Sequence, residues 1–172
     1  MVDYNIHITS VTSTYELLAA SNKAYLRLND HASALMLVVN STDQAIGPKL
    51  QASEQAIIAL SEQLCERLLP LSRKERTLKT PDIIARMIND TDSDVIWLDR
   101  IQILFEPSLD LDPLRQLQEL ARLKPIIAIW PGQITKQCLT FSNPGKGDYQ
   151  SYSLNDLANV SIIHFGEQRK YK

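Results

Sequence analysis

The sequence predicts an α/β fold, with a mostly parallel central sheet flanked by helices and a short β-rich part towards the C-terminus. Three observations predict it. Residues 34–39 (ALMLVV), 95–98 (VIWL) and 126–130 (IIAIW) are short continuous apolar runs, as expected of strands covered on both faces. The segment between the second and third runs carries the capping residues and the three- and four-residue rhythm of an amphipathic helix. The second run ends in an acidic residue, Asp99, at the carboxyl end of its strand, where open α/β sheets place ligands. Residues 94–132 therefore read as a β–α–β unit.

Length and composition agree. The chain has 172 residues, 44% hydrophobic and 22% charged, which suits one globular domain spanning 1–172. Within it, residues 1–30 form an N-terminal helical segment and 34–165 supply the sheet and its packing helices. A net charge of −2 provides no general attraction to nucleic acid or anionic membrane. Cys65 and Cys138 belong to no CxxC pair, so reduced, buried or half-buried thiols are expected. The polar start (VDYNIHITS) is unlike a signal peptide, and no stretch has the roughly 20 apolar residues of a membrane span. The expected location is cytoplasmic.

In chain order, residues 13–28 have a helical rhythm through Leu17, Leu18, Ser21, Ala24, Tyr25 and Leu28. Thr12 or Ser13 is the expected cap, with Glu16 in capping-box position. Asn29-Asp30-His31 is the expected stop, and Tyr15 and Tyr25 are expected to pack. After the run at 34–39 comes a polar junction, NSTDQAIGPKLQ. Residues 55–60 (QAIIAL) read as a strand, followed by a helix from Ser61 to Pro70. Residues 72–79 (SRKERTLK) read as a basic, polar connecting loop. Thr80-Pro81-Asp82 then looks like a helix start, with a cap, a proline at the first position and an acid at the positive end of the dipole. Ile83, Ile84, Met87 and Ile88 would form its buried stripe.

The acidic run 89–94 lacks the glycine and distal glutamate of a calcium loop and reads as a turn. Asp112-Pro113 repeats the cap-plus-proline signal, and Leu114, Leu117, Leu120 and Ala121 make the next apolar face. Arg115 and Glu119 are spaced to pair, worth about 0.2–0.5 kcal/mol. Residues 138–142 (CLTFS) read as a strand, 143–147 (NPGKG) as a turn, 153–158 as a brief helix and 160–165 (VSIIHF) as a last strand. Lys146 between two glycines belongs to a turn, because no helix opens there. His164 reads as a packed histidine, as His7 and His31 offer no ligand spacing.

Residues 64–152 also carry a familiar succession: LCERLLPLSRKER, TPDIIARMI, DVIWLDRIQILFEPSLDLDPLRQLQELAR, IIAIWPG and LTFSNPGKGDYQSY. This succession resembles the BrxF family, small P-loop proteins of type 3 BREX bacteriophage-defence systems. The most specific pieces are LDRIQILFEPSLDLDPLRQLQ and IAIWPG, with the LTFSNPGKGDYQSY tail in support, within a succession that spans roughly half the chain. The resemblance implies a P-loop-NTPase-like parallel sheet. It also implies partners among other defence proteins: an ATPase, a DNA methyltransferase or a phosphatase-like component.

The same comparison exposes a departure. A phosphate loop needs glycines that let backbone N–H groups close on phosphates, a lysine for the β/γ oxygens and a Ser/Thr for Mg²⁺. Here Thr42 stands at the first glycine position, Pro48 separates Gly47 from Lys49, and Leu50 stands where Ser/Thr should follow. The Walker A motif is degenerate. Asp99 has the form of a Walker B aspartate, but Arg100 follows it in place of a glutamate that would activate water. Asp99 could equally pair with Arg100 or Arg115, or cap a loop.

The expectation is an accessory or scaffolding subunit of a BREX-type complex, acting through protein contacts, with no catalytic residues and no cofactor. The alternative is an NTP-binding protein or weak ATPase using Gly47, Lys49 and Asp99, the last holding Mg²⁺ with ATP. A third reading is a DNA-contacting module using Arg73, Lys74, Arg76 and Lys79 with the basic tail GEQRKYK. The overall acidity makes any DNA contact small or indirect.

Overall fold

In a computed structural model, residues 8–28, 34–40, 42, 45–135 and 138–166 are described. The expected stop at Asn29-Asp30-His31, His7, residues 41, 43 and 44 of the polar junction and the basic tail from Glu167 lie outside these residues, as does the side chain of Tyr25.

Six strands form one parallel sheet: β1 (Ile8–Val11), β2 (Leu35–Asn40), β3 (Ile57–Ala59), β4 (Ile96–Asp99), β5 (Ile126–Trp130) and β9 (Ser161–Phe165). Their order is β1-β9-β2-β5-β4-β3, and every neighbouring pair is parallel. β2 and β5 lie in the middle, which explains their unbroken apolar runs. Leu35, Leu37 and Val39 face one core, while Met36 and Val38 face the other.

The first core is covered by α3 (Leu60–Leu68), α4 (Arg73–Asp90) and α5 (Pro113–Leu120), together with an antiparallel sheet of β6 (Gln133–Ile134), β7 (Cys138–Phe141) and β8 (Gln150–Ser153). The second core is covered by α1 (Thr14–Leu28) and the single-turn α2 (Gly47–Gln51). Two 3₁₀ segments, Ile101–Phe105 and Pro107–Leu109, connect β4 to α5.

Several expectations hold in detail. Ser13 Oγ accepts the Glu16 N–H at 3.2 Å, and the Glu16 carboxylate accepts the Ser13 and Thr12 N–H groups, a reciprocal cap at the start of α1. Asp112 caps α5 by accepting the Arg115 N–H at 3.1 Å, with Pro113 behind it. Arg115 Nε donates to Glu119 at 3.2 Å.

Others are corrected. β1 falls within the expected N-terminal helical segment, yet it is a strand that pairs with β9. β9 itself returns to the main sheet between β1 and β2, so only β6–β8 make up the β-rich part. The brief helix expected at 153–158 is a series of turns. Tyr15 is 82% exposed and packs on nothing in the core, and Cys65 is exposed.

The largest correction concerns residues 72–79. They form no loop: α4 begins at Arg73 and runs unbroken through Thr80-Pro81-Asp82. Ser72 Oγ accepts the Glu75 N–H at 3.4 Å, and Glu75 accepts the Ser72 N–H at 3.1 Å, so a complete capping box lies one helical stretch upstream of the expected start. Thr80 is fully buried and its hydroxyl donates to the Arg76 carbonyl at 2.6 Å, as a residue inside a helix does. Pro81 is tolerated because burial of Ile84, Met87 and Ile88 on the same helix outweighs one missing backbone bond.

An aromatic group ties the antiparallel sheet to the core. Phe105 meets Trp130 edge-on at 5.2 Å, Trp130 meets Tyr152 at 5.9 Å, and Phe105 lies 3.8 Å from Phe141. Trp130 Nε1 donates to the Thr140 carbonyl at 2.9 Å. The Tyr152 hydroxyl donates to Asp112 at 3.0 Å and accepts the Leu114 N–H. Burial, reinforced by the Asp112 charge, pushes that phenol well above its usual range and keeps it a donor.

Gly132 follows from this packing. A Cβ there would lie 1.7 Å from the Thr140 carbonyl oxygen, so the turn into β6 admits no side chain. Gly132→Ala should cost about 3 kcal/mol by overpacking, read as a lower urea midpoint. The start of α4 should be sensitive to acid. The bond from Lys79, and those from Ser72, lower the Glu75 carboxyl to about 2 from an ordinary 4.5. A depressed carboxyl stabilises fully above its unfolded value and loses that contribution as pH falls through its folded one. The stability gap between wild type and Glu75→Gln should therefore be constant above about pH 5 and shrink towards pH 2 in urea titrations.

Candidate functional site

The sheet's carboxyl edge is where a ligand is expected, and β4 delivers Asp99 to it. Asp99 is the last residue of β4, in register with Ala59 at the end of β3. The chain then turns sharply at Arg100, which takes a left-handed conformation (φ 51°, ψ 51°). That turn is held from both sides. Asp99 Oδ1 accepts the Arg100 N–H at 2.8 Å. The Arg100 carbonyl accepts both the N–H of Ser61, at 2.9 Å, and its hydroxyl. Ser61 Oγ in turn accepts the Ile103 N–H at 3.1 Å, so one serine at the start of α3 fastens the β4 exit through three hydrogen bonds.

The side chain of Arg100 leaves the strand end and pairs with Glu62 on α3. Both side chains are more than half exposed, so this pair adds at most about 1 kcal/mol. Arg115 is engaged with Glu119 instead. Asp99 thus has neither of the guanidinium partners the sequence allowed; its bond is to backbone.

From the other side comes α2. Its cap residue Ile46 and its Leu50 are buried in the same cluster as Trp97 of β4, which seats the short helix over the strand ends. The seating brings Gly47 onto Asp99. A Cβ on Gly47 would lie 2.0 Å from Asp99 Oδ2 and 2.9 Å from Cγ. Gly47 is required for close approach to a carboxylate, and its backbone φ is not in the left-handed region.

Between α2, the β3–α3 corner and the β4 exit lies a cleft of about 290 Å³. Gly47, Pro48 and Gln51 form one wall, Ala59, Glu62 and Gln63 the second, and Asp99 with Arg100 the third. The structure therefore joins Gly47 and Asp99, as the sequence proposed. Lys49 is exposed on the far side of the single turn and is not among the lining residues.

The chemistry offered to a phosphate is poor. Pro48 has no N–H, and the N–H groups of Lys49 and Leu50 both donate to the Ile46 carbonyl at 3.0 Å. Two carboxylates, Asp99 and Glu62, face the cleft against one guanidinium. Among the described residues no group of His, Cys, Asp and Glu could hold a metal ion. Gln51, Ser61 and Glu62 escaped sequence reasoning. Ser61-Glu62 was legible as a helix start, but nothing local tied it to Arg100, thirty-nine positions away.

The basic set is dispersed in role although it shares one helix. Arg76 donates from Nε to the Leu68 and Leu71 carbonyls, each at 2.9 Å, and from Nη2 to Leu69 at 3.2 Å, closing the C-terminal end of α3. Lys79 pairs with Glu75 at 2.9 Å. Arg73 and Lys74 are exposed.

The contact between Gly47 and Asp99 makes a testable pair. Gly47→Ala should destabilise by about 1–3 kcal/mol, because the carboxylate must leave its bond to Arg100. Asp99→Ala should relieve most of that cost, so a double-mutant cycle in urea should give a coupling of about 1 kcal/mol or more. No family model, curated protein or solved structure matches this chain.

Proposed function

We propose that this protein is an accessory or scaffolding subunit of a BREX-type anti-phage defence complex. It works through protein contacts, on a P-loop-like frame whose nucleotide site has decayed. The setting rests on the resemblance of LDRIQILFEPSLDLDPLRQLQ and IAIWPG to the BrxF family. The frame reading is supported by the parallel order, in which β2 lies centrally and β5 separates it from the aspartate-bearing β4.

One observation carries the loss of nucleotide chemistry. At the turn that should cradle phosphate, the N–H groups of Lys49 and Leu50 are spent on the Ile46 carbonyl, and Pro48 has none to offer. A helix N-terminus binds anions only through N–H groups left unsatisfied. Leu50, where a Mg²⁺-binding hydroxyl would stand, is fully buried in the core. The partners expected are other proteins of the defence system: an ATPase, a methyltransferase or a phosphatase-like component.

A second reading, an NTP-binding protein or weak ATPase, is favoured by one feature: Gly47 lies against Asp99 at the mouth of a cleft. Thermal unfolding separates the two. A nucleotide site filled at 100 times its dissociation constant would stabilise the fold by about 2.7 kcal/mol. The accessory reading expects no shift with millimolar Mg-ATP, together with co-purification alongside the other defence proteins. A nucleotide-dependent rise in Tm would establish the second reading, and isolation without partners would remove the first.

A further inference from the structure

Away from the cleft, on the far side of the Ser61–Arg100 link, a second concavity of about 500 Å³ runs between α3 and the two 3₁₀ segments. The α3 wall is Ser61, Cys65, Leu68 and Leu69, spaced as one helical stripe, and the opposite wall includes Ile103 and Leu109. Leu68 and Leu109 form a buried floor, whereas Leu69 is 72% exposed at the rim. Leu69 thereby extends the apolar lining of the groove to its exposed rim.

Two charges give this groove a polarity. Arg76 lines it, and its hydrogen bonds go to neutral carbonyls of Leu68, Leu69 and Leu71. Glu106 also lines it, and its carboxylate accepts only the Ser108 N–H, at 3.2 Å. Among the described residues, the ion pairs are Glu75–Lys79, Glu62–Arg100 and Glu119–Arg115, so neither Arg76 nor Glu106 is held in an ion pair. Both are anchored by backbone contacts, which fixes their charges in place without cancelling them. Complementary charge on a visitor would meet preorganised partners.

We propose that this groove binds a short apolar peptide segment of a partner protein, carrying an acidic side chain that meets Arg76 and a basic one that meets Glu106. This deepens the accessory-subunit reading by naming the face it uses. The volume suits a few large side chains, within the roughly 300–1,000 Å³ of ordinary binding pockets.

The test is selection from a random twelve-residue peptide library against the intact protein, followed by fluorescence anisotropy of the enriched peptides. The expected peptides have apolar residues flanked by one acid and one base. Leu69→Asp should weaken them at least tenfold, with circular dichroism unchanged because Leu69 is exposed. Glu106→Arg should weaken them similarly and favour peptides in which the base is replaced by an acid. No enrichment, or enriched peptides indifferent to both substitutions, would overturn the proposal. So would a concentration-dependent dimer in sedimentation that Leu69→Asp abolishes, since the occupant would then be a second copy. Peptide binding without co-purification of defence proteins would leave the groove standing and remove only its assigned setting.

Discussion

A parallel sheet with apolar residues on both faces must be covered twice, and in this chain the second cover is thin. Three helices and a small sheet lie over the first face, while α1 and a single turn of helix serve the second. Trp97 faces that second side and is 1% exposed. The fold closes over it by seating α2, through Ile46 and Leu50, on the ends of the strands. Much of the cleft's geometry follows from that requirement.

Seating α2 there brings Gly47 against Asp99, so that a Cβ at that position would have to displace the carboxylate. It also buries Leu50, which removes the position from metal or phosphate chemistry. Meanwhile Arg100 turns left-handed under the hold of Ser61 and Asp99, so the strand end is rigid on both flanks. A packing demand and a ligand demand compete for the same turn, and here the hydrogen bonds have gone to packing. This is the physical basis of the proposal that the cleft is a frame without nucleotide chemistry.

The basic residues on α4 illustrate a related point. In sequence, Arg73, Lys74, Arg76 and Lys79 form one charged patch. In three dimensions Arg76 satisfies the last carbonyls of α3, a favourable site for a cation at a helix C-terminus, and Lys79 supports the α4 cap. The charge that stays available at Arg76 faces an apolar groove, where it can orient a visitor.

The sequence by itself determined the elements whose signals are local. Asp112-Pro113 caps α5, Ser13 with Glu16 caps α1, and the apolar runs at β2 and β5 announce strands buried on both sides. It also placed Gly47 and Asp99 in one candidate site. Tertiary structure decided what depends on distant partners. Thr80-Pro81 has the chemistry of a helix start, but the complete box at Ser72-Glu75 and the burial of Thr80 make it interior. β1 carries too few apolar residues to announce itself, and only pairing with β9 makes it a strand. The role of Ser61, the reason for glycine at position 47 and the groove beside Leu69 each arise where segments far apart in sequence meet, and no local pattern encodes such a meeting.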